Sequence, residues 1–172
     1  MSAVTIRIAT QADAAMIADL SRQTFYDAFA ADNTPENMDK FMNEQFTREK
    51  LIAEVSDPAS IFLLATIGND IAGYARLRDS ANPPELRDLT SIEIARIYAV
   101  TTTIGKGVGS ALMQRCLAIA QEKQRSVIWL GVWEHNKRAI DFYTKWGFHK
   151  FSEHIFVVGD DPQTDWLIKK EL

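Results

Sequence analysis

Three glycines at alternate positions, Gly105, Gly107 and Gly109, join a β-rich run ending at Val100 to a helix-like stretch that opens near Val108. This spacing suits an anion. Glycine lets the chain turn sharply and brings the backbone close to a ligand. The first N–H groups of a helix have no partner within it, and with the positive end of the helix dipole they favour a phosphate. A P-loop is excluded, because Lys106 precedes Gly107 and the chain has no Gly-Lys-Ser/Thr triplet. A dinucleotide fingerprint fits poorly: Gly-x-Gly-x-x-Gly belongs near the first strand of a βαβ unit, whereas this repeat is Gly-x-Gly-x-Gly, more than halfway along. An ordinary strand-to-helix turn uses the same residues, so the remainder of the chain must decide.

Other residues with chemical potential lie on both sides of the loop. Glu93 places a carboxylate between Ile92 and Ile94 in a β-rich run; a salt bridge to a neighbouring strand is the alternative reading. Asn136 and Tyr143 are seven residues apart, nearly two helical turns, so both can face one cleft. Gly131 interrupts the apolar strand from Ile128 to Trp133, where a close backbone approach, a splay or a bulge is expected. Cys116 is the only cysteine and lies among Leu112, Met113, Leu117 and Ile119, as a buried filler does. With one cysteine and three scattered histidines the sequence predicts neither a disulfide nor a Cys/His metal cluster.

Asn136, Ala139, Phe142, Tyr143, Gly147 and Phe148 match an Asn-x-x-Ala-x-x-Phe-Tyr-x-x-x-Gly-Phe pattern. Together with the upstream glycine loop, this resembles the GCN5-related N-acetyltransferase (GNAT) superfamily. Further matches at Thr24-Phe25, Phe29, Asn33, Pro35 to Met38, Ile92 to Ile94, Arg96 to Tyr98, Ile128 to Glu134, His154, Gly159-Asp160 and Gln163 to Asp165 look like the bacterial spermidine/spermine N-acetyltransferases of the PaiA type. The chain departs from those patterns at Ile104, where the loop carries Gln or Arg, and at Ala95, where the subfamily carries Glu.

The resemblance implies an α/β GNAT fold: a mixed seven-stranded sheet, splayed between strands 4 and 5, with helices on both faces. It implies acetyl-CoA as cosubstrate and no metal. Ile97, Tyr98, Ala99 and Val100 would pair with pantetheine, a backbone N–H near Ala99 or Val100 facing the thioester oxygen. Gly105, Lys106, Gly107, Val108, Gly109 and Ser110 would hold the pyrophosphate. Asn136 would add a cofactor contact and Tyr143 the acid that protonates the departing sulfur. Lys145 would reach a CoA phosphate, or else remain a solvated charge at a helix end.

The acceptor implied is a primary amine, most simply a polyamine such as spermidine or spermine. Glu93 is the leading base, directly or through water, with His154 in reserve because imidazole titrates near neutrality. Asp27, Glu36, Glu93, Asp160 and Asp161 would supply a negative field for a polycation. The link between the first two helices borders the acceptor site in that family. The rival readings are a protein N-terminus or another small amine as acceptor, and a non-catalytic acyl-CoA-binding module.

Size and charge agree with this. The 172 residues, 47% hydrophobic and 24% charged, suit a single N-acetyltransferase domain spanning 1–172. A net charge of −4 argues against a nucleic-acid partner. No run of about 18 apolar residues predicts a membrane span, and a cytoplasmic protein is expected. A second copy of the chain, as a homodimer, is a candidate partner.

The elements follow from periodicity and caps. Val4 to Ala9 alternates as a strand does. Thr10 with Asp13 starts a helix reaching about Phe29, Thr34-Pro35 starts a second, and Thr47 starts a third that ends before Asp57-Pro58. Ser60 to Ile67 and Ile71 to Leu77 form a hairpin around Gly68-Asn69-Asp70. Asp79 to Thr90 reads as an exposed loop. A strand over 92–100, a helix to about Lys123, a strand over 126–133, a helix over 136–146 and two strands around Phe148–Val158 and Thr164–Lys170 complete the chain.

Overall fold

Threonine hydroxyls set the starts of two of the first three helices in the computed structural model, which describes residues 3–79 and 82–172. Helix α1 (Ala14–Phe29) follows a 3-10 turn closed by the Asp13 carboxylate, which accepts the Thr10 N–H at 2.8 Å. Thr34 Oγ1 accepts from Asn37 N (3.2 Å) ahead of α2 (Pro35–Lys40), and Thr47 Oγ1 from Lys50 N (3.3 Å) ahead of α3 (Arg48–Val55). The second helix is shorter than its apolar stripe suggests. Past Lys40 the chain widens into a π-helical turn, Phe41–Gln45, so that Phe41 stacks on Phe25 at 4.4 Å and Phe46 on Phe41 at 5.4 Å.

The strands are β1 (Val4–Ile8), β2 (Ser60–Ile67), β3 (Asp70–Arg78), β4 (Ser91–Ala99), β5 (Val127–Trp133), β6 (His149–Val158) and β7 (Asp161–Glu171). They form one seven-stranded sheet in the order β1-β2-β3-β4-β5-β7-β6, antiparallel except where β4 meets β5. Helices α4 (Val108–Glu122) and α5 (Lys137–Lys145) cover one face. Their Val108, Leu112, Met113, Cys116, Ile119 and Tyr143 pack on Leu63, Leu77, Ile92, Ile128 and Leu130. On the other face Ile17 of α1 packs on Phe62, Leu64 and Tyr74. The expected mixed sheet with two covered faces is therefore present.

The register of β4 changes midway. Arg76 faces Arg96 and Leu77 faces Ile94, so Ala95 has no partner on β3 and forms a bulge. Adding one residue inverts the in/out alternation beyond it. Ile92 and Ile94 before the bulge, and Ile97 and Ala99 after it, consequently all turn to the α4 side. Glu93, Arg96 and Tyr98 are left for the α1 and α3 side. There Glu54 of α3 bridges Arg76 of β3 (3.1 Å) and Arg96 of β4.

Between Asp79 and Thr90 the expected loop is exposed at Pro84, Glu85 and Arg87 to Thr90, but it is pinned to the sheet at Leu86 and Asn82. A 3-10 turn, Pro84–Leu86, buries Leu86 against Val127, Trp129 and Leu167, and Asn82 bonds Ser91 Oγ (2.5 Å) and the Leu89 carbonyl (3.2 Å). Ser80 and Ala81 of that stretch lie outside the described residues. At the far end of the sheet the β6–β7 tip rests on α2: Asp160 N donates to Asn37 Oδ1 (3.0 Å), Lys40 pairs with Asp160 (2.6 Å), and Gln163 donates to Asn33 Oδ1 (2.7 Å). Only glycine fits at 159, where φ is +64° and a Cβ would lie 2.6 Å from Asn37 Cα.

Candidate active site

Strands β4 and β5 pair only at Ser91–Val127, Ile92–Ile128 and Glu93–Trp129, although β4 continues to Ala99 and β5 to Trp133. The splay expected between strands 4 and 5 is thus present, and it opens just after Glu93. Val100 N–H donates to Ala72 O on β3 at 2.8 Å. Alternation along an antiparallel ladder then turns the amides of Ile97 and Ala99 away from β3 and into the gap. The expectation of a free donor at Ala99 or Val100 is narrowed accordingly: the Val100 N–H is spent on β3, and Ala99 keeps its own.

At the mouth of this gap stands the N-terminus of α4. Gly107 caps it in the left-handed region, with φ +85°, and Gly105 has φ +84°. The helix ladder begins with Ala111 N donating to Gly107 O (3.0 Å), so the N–H groups of Val108, Gly109 and Ser110 precede it. Gly109 faces Phe142 of α5; a Cβ there would make only ordinary contact with the ring, at 3.5 Å. Lys106 and Ser110 are exposed beside the loop. Gly73 holds the assembly close from behind; a Cβ on it would collide with the Tyr98 carbonyl and lie 2.9 Å from Val108 Cγ1.

Tyr143 of α5 is 8% exposed, against Phe142 and Phe148. Burial, with a smaller contribution from Cys116, holds its phenol well above the ordinary tyrosine value, so it carries its proton at neutral pH. Asn136 caps α5 by accepting Ala139 N–H on Oδ1 (3.3 Å), leaving its Nδ2 for a ligand. Lys145 is exposed in the last turn of the same helix.

On the opposite side of the sheet, Glu93 is 13% exposed and its Oε1 accepts from Arg78 Nε (2.7 Å) and Nη2 (2.5 Å). The cross-strand ion pair anticipated as the alternative reading is formed. Ala95 occupies the bulge and presents no carboxylate. Of the other acids, Asp160 is tied to Lys40, Asp161 bonds Gln163 (3.0 Å), and Asp27 approaches Thr101 Oγ1 (3.4 Å). Among the described residues no three of His, Cys, Asp and Glu come together as a metal site would require. His154 lies 3.7 Å from Asp165, a half-buried carboxyl that burial holds above its usual range while His154 opposes the shift. Neither this pairing nor the identity of Arg78 as the partner of Glu93 was legible beforehand, because both depend on strand register.

Comparison with known proteins agrees with this geometry. Residues 22–148 match the model of the acetyltransferase (GNAT) family. An uncharacterized N-acetyltransferase in the pepI 3′ region of Lactobacillus delbrueckii subsp. lactis is 40% identical over all of this chain and 99% of its own length. The spermidine N(1)-acetyltransferase of Thermoplasma acidophilum is 23% identical, with 98% of this chain and 97% of that protein covered. Among solved structures, the PaiA N-acetyltransferase of Thermoplasma acidophilum in complex with coenzyme A superimposes with a TM-score of 0.78 at 21% identity, over 99% of both chains. The yncA protein of Salmonella typhimurium, a putative acetyltransferase with its cofactor acetyl-CoA, gives 0.75 at 19% identity, over 99% of this chain and 95% of its own. With its strands parted in front of a helix N-terminus that no side chain caps, the chain belongs to the acetyltransferase (GNAT) family and is an acetyl-CoA-dependent N-acetyltransferase.

Proposed function

We propose that this enzyme transfers acetyl directly from acetyl-CoA to a primary amine in a ternary complex, and that the amine is a polyamine such as spermidine or spermine. The parting of β4 from β5 immediately after Glu93 and Trp129 carries this reading, because it leaves the Ile97 and Ala99 amides in line with the free N–H groups of α4. Pantetheine pairs along β4 as an added strand would. The pyrophosphate sits on the N–H groups of Gly107 to Ser110, and the exposed Lys106 and Lys145 are the candidates to meet the other phosphates. Backbone donors suffice for the diphosphate, so Ile104 is no obstacle.

Attack on the thioester places negative charge on its oxygen, where Ala99 N–H is the donor. Collapse expels the thiolate, which takes a proton from Tyr143. No acyl-enzyme forms on the single thiol: Cys116 lies in the core, and burial pushes it up to about 12. Asn136, fixed as the cap of α5, contacts the cofactor through its amide. Glu93 and His154 border the acceptor side, and of these two candidates for the base it is Glu93 that Arg78 already engages. The polyamine acceptor is supported by the named activity of the Thermoplasma relative and by acids on the acceptor side at Asp27, Glu36, Asp160 and Asp161.

The test is calorimetry with acetyl-CoA followed by CoA release over a panel of polyamines, monoamines and peptides. Saturable binding and polyamine-dependent release are expected. Turnover of a peptide with none for any polyamine would overturn the acceptor, and absence of acetyl-CoA binding would overturn the whole reading.

A further inference from the structure

One face of β5 carries Val127, Trp129, Gly131 and Trp133, by the alternation of a strand; Ile128, Leu130 and Val132 on the other face belong to the core under α4. Trp129 is buried beneath Leu86 and Leu167, and Trp133 meets Phe29 of α1 edge-on at 6.4 Å. Between the two indoles Gly131 is exposed. It lies two positions past Trp129, the last residue of β5 paired with β4, so this slot opens where the gap begins. A Cβ built on Gly131 would be 3.7 Å from Asp165 Oδ2, 3.7 Å from Leu167 and 3.8 Å from His154 Nε2. Three strands thus bring an imidazole and a carboxylate to the edge of a notch that only a missing side chain creates.

We infer that this notch seats the acceptor's amino group and that His154 takes its proton, with the Asp165 carboxylate 3.7 Å away balancing the imidazolium charge. The inference rests on the N-acetyl transfer proposed above. At 3.7 Å the Nε2 to Oδ2 contact is too long for a hydrogen bond, so in the tautomer that carries its proton on Nδ1 the Nε2 lone pair can accept from the amine, whereas Glu93 is held by Arg78. The first proton of the ammonium passes to Nε2, giving imidazolium opposite the Asp165 carboxylate. The freed nitrogen pair forms the C–N bond as the carbonyl electrons move to oxygen. On collapse the C–S bond breaks, the nitrogen loses its second proton to solvent, and the thiolate gains one from Tyr143, which solvent replaces. The products are amide, free thiol and one net proton.

Three variants test this on the intact enzyme. His154→Ala, at a half-exposed position, should keep the acetyl-CoA Kd and lose about 10²-fold in kcat with the best amine, and imidazole in the buffer should restore part of it. Asp165→Asn should lower kcat at unchanged acetyl-CoA Kd without such rescue. Gly131→Ala, whose new Cβ makes only ordinary contacts, should fold normally and raise the amine KM about tenfold. Wild-type kcat/KM in His154→Ala, a loss unresponsive to imidazole, or an unchanged amine KM in Gly131→Ala would overturn the inference while leaving the enzyme reading intact. Failure of the wild type to bind acetyl-CoA or to release CoA with any amine would instead remove the parent reading, and this inference with it.

Discussion

Tyr143 and Cys116 are neighbours in the core and illustrate opposite uses of burial. For the phenol, desolvation keeps the proton in place, as the proposed role of acid toward a leaving thiolate requires. Tyr143→Phe should therefore lower kcat by about 10²-fold while the acetyl-CoA Kd changes little; equal turnover in steady-state assays would remove Tyr143 from the mechanism. For the thiol, a value raised by burial to about 12 keeps Cys116 protonated, and poorly reactive, near neutral pH. Native protein at pH 8 should resist iodoacetamide and label only after denaturation, as read by mass spectrometry. Fast native labelling would show that α4 opens. Both residues were identifiable from their neighbours in sequence. Asp165 was not singled out, because what marks it is His154 and Gly131, on two other strands.

At the scale of elements, a bulge and a glycine shape the strand that borders the gap. The bulge at Ala95 turns Ile97 and Ala99 toward α4, and Gly73 lets β3 lie close behind Tyr98 and Val108. Gly73→Ala would force the Tyr98 carbonyl and the first turn of α4 apart. It should cost about 1–3 kcal/mol of stability, measured by urea denaturation, and weaken acetyl-CoA binding because the amides of β4 and the helix N-terminus move together. Unchanged affinity in a destabilised variant would separate the packing role from the ligand role. Helix starts at Thr34 and Thr47 were legible, since a cap is a local hydrogen bond. The π-helical turn after Lys40 was not, because the stacking of Phe41 and Phe46 around Phe25 sets its width.

Across the whole molecule, the Arg76–Glu54–Arg96 bridge ties α3 to β3 and to β4 one residue past the bulge. The arginine side chains are only 6% and 12% exposed, so their charges depend on that shared carboxylate. Glu54→Ala should cost about 3–5 kcal/mol by stranding buried cations, measured by denaturant unfolding. A loss below about 1 kcal/mol would mean that Asp57, at 3.7 Å from Arg76, takes over. At the other end of the sheet the β6–β7 tip docks on Asn37 and Lys40 of α2 and on Asn33 just before it, joining segments far apart in the chain.

The sequence by itself determined the strand and helix order, the caps, the glycine loop and the Asn136 to Phe148 pattern, because each is written in residues within a few turns of one another. Tertiary structure alone decided which amides face the gap, that Arg78 engages Glu93, that Asn33 and Asn37 meet Gln163 and Asp160, and that His154 and Asp165 converge over Gly131. Those outcomes depend on strand register and on one bulged residue, which set the face every side chain occupies and leave no local trace in the order of amino acids.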